Sequence, residues 1–299
     1  MSHFADRVIA AIRARRTPLC VGLDPRHESL PESIRQRHPA TTAGRAAAYE
    51  EFCHRVIDIV APHVCVVKPQ SAFFEACGPA GMVALQHVLR YAKWRGLLTI
   101  LDAKRNDIAS TAEAYAEAAF HVYDADALTV NPYLGRDSME PFLKVGRRTR
   151  RGLFVLVRTS NPGGGQFQES EVAGRPLFNH VAAAVQSWSA EHPGTSGFGD
   201  VGAVVGATKP AELGQLRKEM PAAILLVPGY GAQGGTSADT AAAFDSQGLG
   251  AIVNSSRGII CSFKPNELNW EASVERATRE AIEDLAKNTP AGRMKTSSQ

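Results

Sequence analysis

The sequence predicts an α/β chain of the (β/α)8, or TIM, barrel class, built as a single domain. Three observations lead there. Eight short apolar runs recur between residues 18 and 254, each brief enough to be a buried strand. Segments with helical spacing or helix-favouring composition separate them, so strand and helix alternate over about 270 residues, the span of a (β/α)8 barrel. The structural alternative is a doubly wound open sheet, but no G-x-G-x-x-G follows the first strand.

In chain order, residues 4–14 carry Phe4, Val8, Ile9 and Ile12 at helical spacing and form an opening helix. Strand one, 18–23, ends at Asp24-Pro25. Asp24 is either a turn residue before proline or a pocket carboxylate at a strand end. Residues 26–40 read as a polar, proline-containing loop, and 42–61 as a long helix. Strand two, 64–67, ends in Lys68-Pro69-Gln70. Lysine is rarely placed at the end of a buried strand, which marks Lys68 as functional. A helix at 81–94 leads to strand three, 97–101, preceded by Gly96. The Ala- and Glu-rich stretch from 110 to 122 reads as a helix. Strand four, 127–130, ends in Asn131-Pro132-Tyr133, and 139–145 makes a short helix. Strand five, 153–157, runs into a glycine-rich segment through Gly165 that is either a flap or a plain loop. A helix at 177–191 and a Gly/Pro/Ser-rich loop at 192–200 precede strand six, 201–207. The helix at 210–219 has proline in its first turn. Strand seven at 223–227, a helix at 237–244, strand eight at 251–254 and a helix at 270–286 complete the barrel. The catalytic domain is expected to span 1–287, with 288–299 a small, polar, basic, disordered tail.

Composition narrows the function. Thirty-three Lys and Arg against thirty Asp and Glu leave a net charge of +3, with no basic block that would mark a nucleic-acid surface. The densest basic run, Arg147 to Arg151, reads as a solvated helix end. Five scattered cysteines without a C-x-x-C pair read as free thiols of a reducing compartment, with Cys20 and Cys65 buried in strands. No secretory apolar core and no stretch near the ~20 apolar residues of a membrane span is present. A cytoplasmic enzyme with neither nucleic-acid nor membrane partners is expected.

Chemistry concentrates just past strand three. Asp102, Lys104 and Asp107 form a D-x-K-x-x-D array at a strand-to-helix junction, the end of a parallel sheet where active sites are built. Residues i and i+2 of a strand face one way, so Asp102 and Lys104 should point into the mouth, with Asp107 brought near by the turn. A lysine held between two acids stays protonated and is a proton donor rather than a nucleophile. The plain alternative is a solvated salt bridge at a strand end. The loops after strands seven and eight add a second signal. Gly229, Gly231, Gly234 and Gly235 allow backbone N–H groups to converge on an anion, Gln233 adds a side-chain donor, and Arg257 supplies a planar fork for phosphate oxygens. Those are the loops that hold phosphate in such barrels. The substrate is therefore expected to be a phosphorylated small molecule.

These motifs, together with Ser160-Asn161-Pro162-Gly163 and Asn254-Ser255-Ser256-Arg257-Gly258, give a chain that resembles the orotidine 5'-phosphate decarboxylase family, in its longer bacterial branch. The resemblance covers about residues 8 to 285. It implies loss of CO2 from C6 of orotidine 5'-monophosphate to give UMP, without metal or organic cofactor. It implies that Lys68, Asp102, Lys104 and Asp107 form the charged network, with Lys104 the acid that protonates C6 and Asp102 beside the substrate carboxylate. It assigns Asp24 and Lys68 to the ribose hydroxyls, Ser160 to the pyrimidine amide edge, and Gln233 and Arg257 to phosphate, with Pro228 among the substrate contacts. It further implies a homodimer in which Asp107 and Thr111 reach the neighbouring site. The chain departs from short family members in its glycine-rich loop after strand five and in the long 26–45 insertion. Two rivals remain. Hexulose-phosphate synthase and keto-gulonate-phosphate decarboxylase share D-x-K-x-x-D but use Mg2+, and would want an acid where Lys68 stands. A catalytically dead barrel would have lost one of the four charged residues.

Overall fold

A computed structural model describes residues 2–231 and 234–294. Eight parallel strands close into a barrel in sequence order. They are β1 (Leu19–Leu23), β2 (Val66–Pro69), β3 (Leu98–Arg105), β4 (Ala127–Val130), β5 (Gly152–Arg158), β6 (Val201–Val205), β7 (Leu225–Val227) and β8 (Ala251–Ser255). β1 closes the ring, with Cys20 opposite Val66 of β2 and Leu19 opposite Val253 of β8. β1, β6 and β8 are buried along their whole length, as expected for strands covered on both faces.

Helices cover the outside. The helix Thr42–Val60 starts where Thr41 Oγ1 accepts the Gly44 N–H at 3.0 Å. It buries Tyr49, Phe52, Cys53, Val56, Ile57 and Val60, a stripe at i, i+3 and i+4. The closing helix Trp270–Asn288 is pinned by Trp270, which is fully buried against Phe52 and Phe263. Burial of one such side chain is worth about 1.5–3 kcal/mol. Phe4, at the start of the helix Phe4–Arg15, packs edge-on against Phe154 of β5.

Several sequence expectations are corrected. The 26–40 stretch is not simply loop: His27–Ser29 form a 3-10 turn and Glu32–Arg35 a short helix. Pro31 precedes that helix with extended backbone, and Ile34 is buried, so the polar surroundings concealed an anchor. Strand three does not stop at 101; it carries the charged residues through Arg105. The glycine-rich stretch after β5 holds a 3-10 turn, a four-residue helix and a small antiparallel hairpin, Glu171–Val172 with Arg175–Pro176. The short helix at 139–145 is longer, Arg136–Thr149. Arg151 of the basic run is buried and ion-paired to Asp124 and Asp126, not solvated. Residues 290–293, read as part of a disordered tail, form a 3-10 turn with Ala291 and Met294 buried; residues 295–299 lie outside the described residues. All five cysteines are free thiols. Among the described residues no helix is long and apolar enough to cross a membrane.

Candidate active site

A cavity of about 390 Å3 opens at the carboxyl ends of the strands. Every strand contributes to its wall: Asp24 just past β1, Lys68 on β2, Asp102 and Lys104 on β3, Thr129 on β4. Leu156, Val204 and Leu226 form an apolar floor from β5, β6 and β7, and Asn254 comes from β8. Ser160, Pro228, Gly229 and Arg257 enter from the loops.

The end of β3 is built irregularly. Its register with β4 shifts between Leu101 and Arg105, and Lys104 has φ +48°, a left-handed conformation unusual for a residue with a side chain. Holding such a residue costs about 1–3 kcal/mol unless its surroundings fix it. Thr129 supplies the fixing. Its Oγ1 accepts the N–H groups of Ala103 at 3.0 Å and Lys104 at 2.9 Å, and donates to Asp102 Oδ1 at 3.0 Å. One hydroxyl offers two lone pairs and one proton, so all its capacity is used here. The buried threonine therefore sets both the backbone and the carboxylate of the charged motif.

Asp102 is the centre of that motif. Its Oδ2 accepts from Lys68 Nζ at 2.6 Å and its Oδ1 from Lys104 Nζ at 2.6 Å. The Lys68 and Asp102 side chains are only 7% and 9% exposed, whereas that of Lys104 is 45% exposed. Burial alone would lift the Asp102 carboxyl; the Lys68 and Lys104 ammoniums outweigh it and hold it well below the usual carboxylate range. Burial would likewise lower Lys68, but the Asp102 and Asp24 carboxylates outweigh it and push it above the usual lysine range. A buried carboxylate thus stays charged between two ammoniums, one enclosed and one facing the cavity. Both Asp102 oxygens already accept from lysine.

Two other polar atoms in this wall have no hydrogen-bond partner among the described residues, Asp24 Oδ1 and Asn254 Oδ1. Buried polar groups are ordinarily paired, so these two acceptors are available for hydroxyl or N–H donors of a ligand. Gly22 makes room for this corner: a Cβ there would lie 1.8 Å from Ser256 Oγ.

Beyond β5, Gln168 holds Thr159, accepting its N–H at 3.0 Å and donating to its Oγ1 at 2.7 Å. Arg158 is buried beneath, paired with Glu169 and Glu212 and set over the Phe178 ring. The loop presenting Ser160 is thereby tied to the barrel. On the far side, Gly229, Gly231 and Gly234 all have positive φ, which suits glycine alone without strain. Tyr230 between them donates to Asp284 Oδ2 at 2.8 Å. Arg257 opens a short helix after β8.

Seven sequence-predicted residues thus line one cavity: Asp24, Lys68, Asp102, Lys104, Ser160, Pro228 and Arg257. Gln233 lies outside the described residues. Asp107 and Thr111 do not line this cavity. Asp107 Oδ1 accepts the Ile108 N–H at 2.8 Å, and Asp107 makes no ion pair among the described residues. Within its own chain Asp107 thus neither lines this cavity nor pairs with Lys68 or Lys104 among the described residues. Sequence reasoning missed Thr129 and Asn254. Thr129 carried no signal, since threonine is an ordinary strand residue. Asn254 did: it is a polar residue closing an apolar run, the same pattern that marked Lys68.

Residues 17–268 match the model of the Orotidine 5'-phosphate decarboxylase / HUMPS family. The orotidine 5'-phosphate decarboxylase of Rhodopirellula baltica is 49% identical over 300 residues, covering 95% of this chain and 99% of that protein. The enzyme of the same name from a Roseiflexus species is 45% identical over 261 residues, 86% of this chain and 88% of that protein. Among solved structures, a putative orotidine-monophosphate-decarboxylase from Toxoplasma gondii superposes with a TM-score of 0.81 at 37% identity, covering 95% of this chain and 97% of that one. The OMP decarboxylase of Leishmania donovani gives 0.77 at 36% identity, covering 96% and 98%.

Proposed function

The chain belongs to the orotidine 5'-phosphate decarboxylase / HUMPS family, and from that premise we propose that it converts orotidine 5'-monophosphate to UMP and CO2, as a carboxy-lyase. The observation that carries the reading is the Lys68–Asp102–Lys104 array, set in the same cavity as Gly229 and Arg257. The names of the curated relatives point the same way.

In this reading the phosphate rests on the Gly229 loop and Arg257, and Ser160 meets the pyrimidine. Asp24 Oδ1 and Lys68 take the ribose hydroxyls. The C6 carboxylate then lies beside Asp102. The C6–carboxylate bond breaks, CO2 leaves, and the bonding pair stays on C6. Lys104 Nζ gives C6 a proton and is left as a neutral amine, which regains a proton from solvent. Lys104 is suited to this because it is already charged, directed by Asp102, and the exposed member of the pair. An ammonium fixed in advance stabilises the developing carbanion without reorganisation, which is the largest catalytic term in such sites. Phosphate binding far from C6 contributes the energy that assembles the site. No step calls for a metal, and the lysine at the end of β2 stands where a Mg2+-dependent relative would want an acid.

Asp107 and Thr111 are read as completing the site of a second copy, and their position off their own cavity supports this. Exposed apolar residues follow β3 and the adjacent β4, with Ile108 55%, Tyr133 79% and Leu134 46% exposed. The catalytic unit spans 1–287, and the reaction is placed in the cytoplasm. The test is the absorbance change of orotidine 5'-monophosphate with purified protein in EDTA, with UMP identified as product. EDTA-resistant turnover is expected; none from folded protein contradicts the reading. Mixing inactive Lys104→Ala and Asp107→Ala copies should restore turnover if the sites are shared, and restore nothing if each chain works alone.

A further inference from the structure

At the opposite end of the barrel a second set of donor atoms converges. His3 immediately precedes the helix Phe4–Arg15, His192 follows the helix Leu177–Ala190, and Asp200 immediately precedes β6. His3 Nε2 and His192 Nδ1 lie 3.1 Å apart, and His192 Nδ1 and Asp200 Oδ2 lie 3.0 Å apart. One ligand atom from each of the three lies within 4.8 Å of the other two. Asp200 is 4% exposed, and its Oδ1 has no hydrogen-bond partner among the described residues.

Protons alone do not satisfy this arrangement. His3 Nδ1 accepts the Ala5 N–H at 3.2 Å, so a neutral His3 carries its proton on Nε2, facing His192 Nδ1. If His192 Nδ1 accepts that proton, its lone pair is used and nothing bridges it to the Asp200 carboxylate. If His192 Nδ1 instead carries a proton for Asp200, two N–H groups confront each other. A cation at the common vertex satisfies all three lone pairs at once. Zinc bonds of about 2.0–2.1 Å to nitrogen and 2.0–2.2 Å to carboxylate oxygen put neighbouring tetrahedral ligands about 3.3 Å apart. The two separations that involve His192, 3.1 and 3.0 Å, need to widen by only a few tenths, and the His3 and Asp200 ligand atoms lie within 4.8 Å of each other.

We propose that His3 Nε2, His192 Nδ1 and Asp200 Oδ2 form a site for a zinc-class divalent ion, with solvent as the fourth ligand. Two groups compete with the ion. Arg147 Nε donates to Asp200 Oδ2 at 3.2 Å, and a His3 bound through Nε2 carries its proton on Nδ1 and releases the Ala5 N–H. Both hold the affinity below that of a closed four-ligand site. The ion would tie the start of the first helix to the 192–200 loop. Asp6 already joins these parts by accepting the N–H groups of Thr195 at 3.0 Å and Ser196 at 2.7 Å. The site lies away from Lys104 and is independent of the decarboxylation chemistry.

The test is titration of the chelator-stripped full chain, with Zn2+ by calorimetry and Co2+ by visible absorption. Expected are one equivalent bound in the micromolar range or tighter, tetrahedral Co2+ bands, and a Tm that rises with Zn2+. His192→Ala should weaken binding at least tenfold. Its side chain is 47% exposed, so the variant keeps the fold. Arg147→Gln should tighten binding, and His63→Ala, whose ring pairs with Glu275 and with none of the three ligands, should leave it unchanged. No stoichiometric binding by wild type overturns the proposal, and so does binding that survives in His192→Ala.

Discussion

Each end of this barrel holds a buried aspartate pinned by two cations and a threonine from an adjacent strand, and only one of the two is built for chemistry. At the amino end Asp126 Oδ1 accepts from Arg7 at 2.6 Å and from Arg151, while its Oδ2 accepts from Thr99 N at 3.1 Å and Thr99 Oγ1 at 3.3 Å. At the carboxyl end Asp102 also takes two cations and a threonine, but shared out differently: Lys68 on Oδ2, Lys104 and the Thr129 hydroxyl on Oδ1. The difference lies in the cations and the space around them. Arginine stays charged at any physiological pH and cannot hand over a proton, and Arg151 is packed away. Lysine can release a proton, and Lys104 projects into a cavity beside the unpartnered Asp24 and Asn254 oxygens. One electrostatic motif is a structural clamp when closed, and a reactive centre when it uses lysine and is left open.

Substitution of the two aspartates should have the largest effects. Asp102→Asn should lower kcat by about a thousandfold, the scale of losing a preorganised charge in an active site. Asp126→Asn should leave turnover per folded molecule nearly intact but destabilise the chain. Breaking a buried pair costs about 3–5 kcal/mol, a Tm fall of roughly 5–15 °C. Kinetics and thermal melts of both variants check this, and equal losses of kcat would erase the distinction. Next comes the threonine at the carboxyl end. Thr129→Val removes a hydrogen bond to a charged group, about 1.5–3 kcal/mol, so kcat should fall roughly tenfold to a hundredfold. KM should change little, and Thr129→Ser should restore most of the rate. A Thr129→Val enzyme with wild-type kcat would mean that the bulge at Lys104 holds itself.

The smallest expected effect concerns pH. The Asp102 carboxyl is held low in the folded chain, so its contribution is present above the unfolded value near 3.9 and is lost as pH falls through the folded one. Lys68 is held high, so its contribution is present below the unfolded value near 10.4 and is lost as pH rises through the folded one. The stability difference between wild type and the double variant Lys68→Met with Asp102→Asn, which removes both partners, should therefore be flat from pH 5 to 9 in urea titrations. A slope within that window would mean that one partner titrates there.

The sequence carried the strands and the open end of this comparison well, and the closed end poorly. Lys68, Asp102 and Lys104 were legible because a charged residue closing a short apolar run has few structural explanations. The strand count was legible because each barrel strand is a short apolar run set between helical segments; the hairpin after β5 is largely exposed and adds no such run. Asp126, Arg7 and Arg151 were not, because their meeting depends on packing between distant elements; Arg151 looked solvated in a basic run. Asp107 does not line the cavity of its own chain, and an i+5 spacing past a strand end does not fix where a turn carries a side chain. Thr129 was invisible because what distinguishes it is the register of β4 against β3, with the bulge that puts its hydroxyl under two N–H groups.

The most direct test of the account is Lys104→Arg, which puts the amino end's cation at the carboxyl end. It keeps the charge beside Asp102 and removes the transferable proton. Expected is a folded protein that still binds UMP, with kcat for orotidine 5'-monophosphate down by about a thousandfold. Turnover within tenfold of wild type would contradict it, because charge alone would then suffice and Lys104 would not be the proton donor.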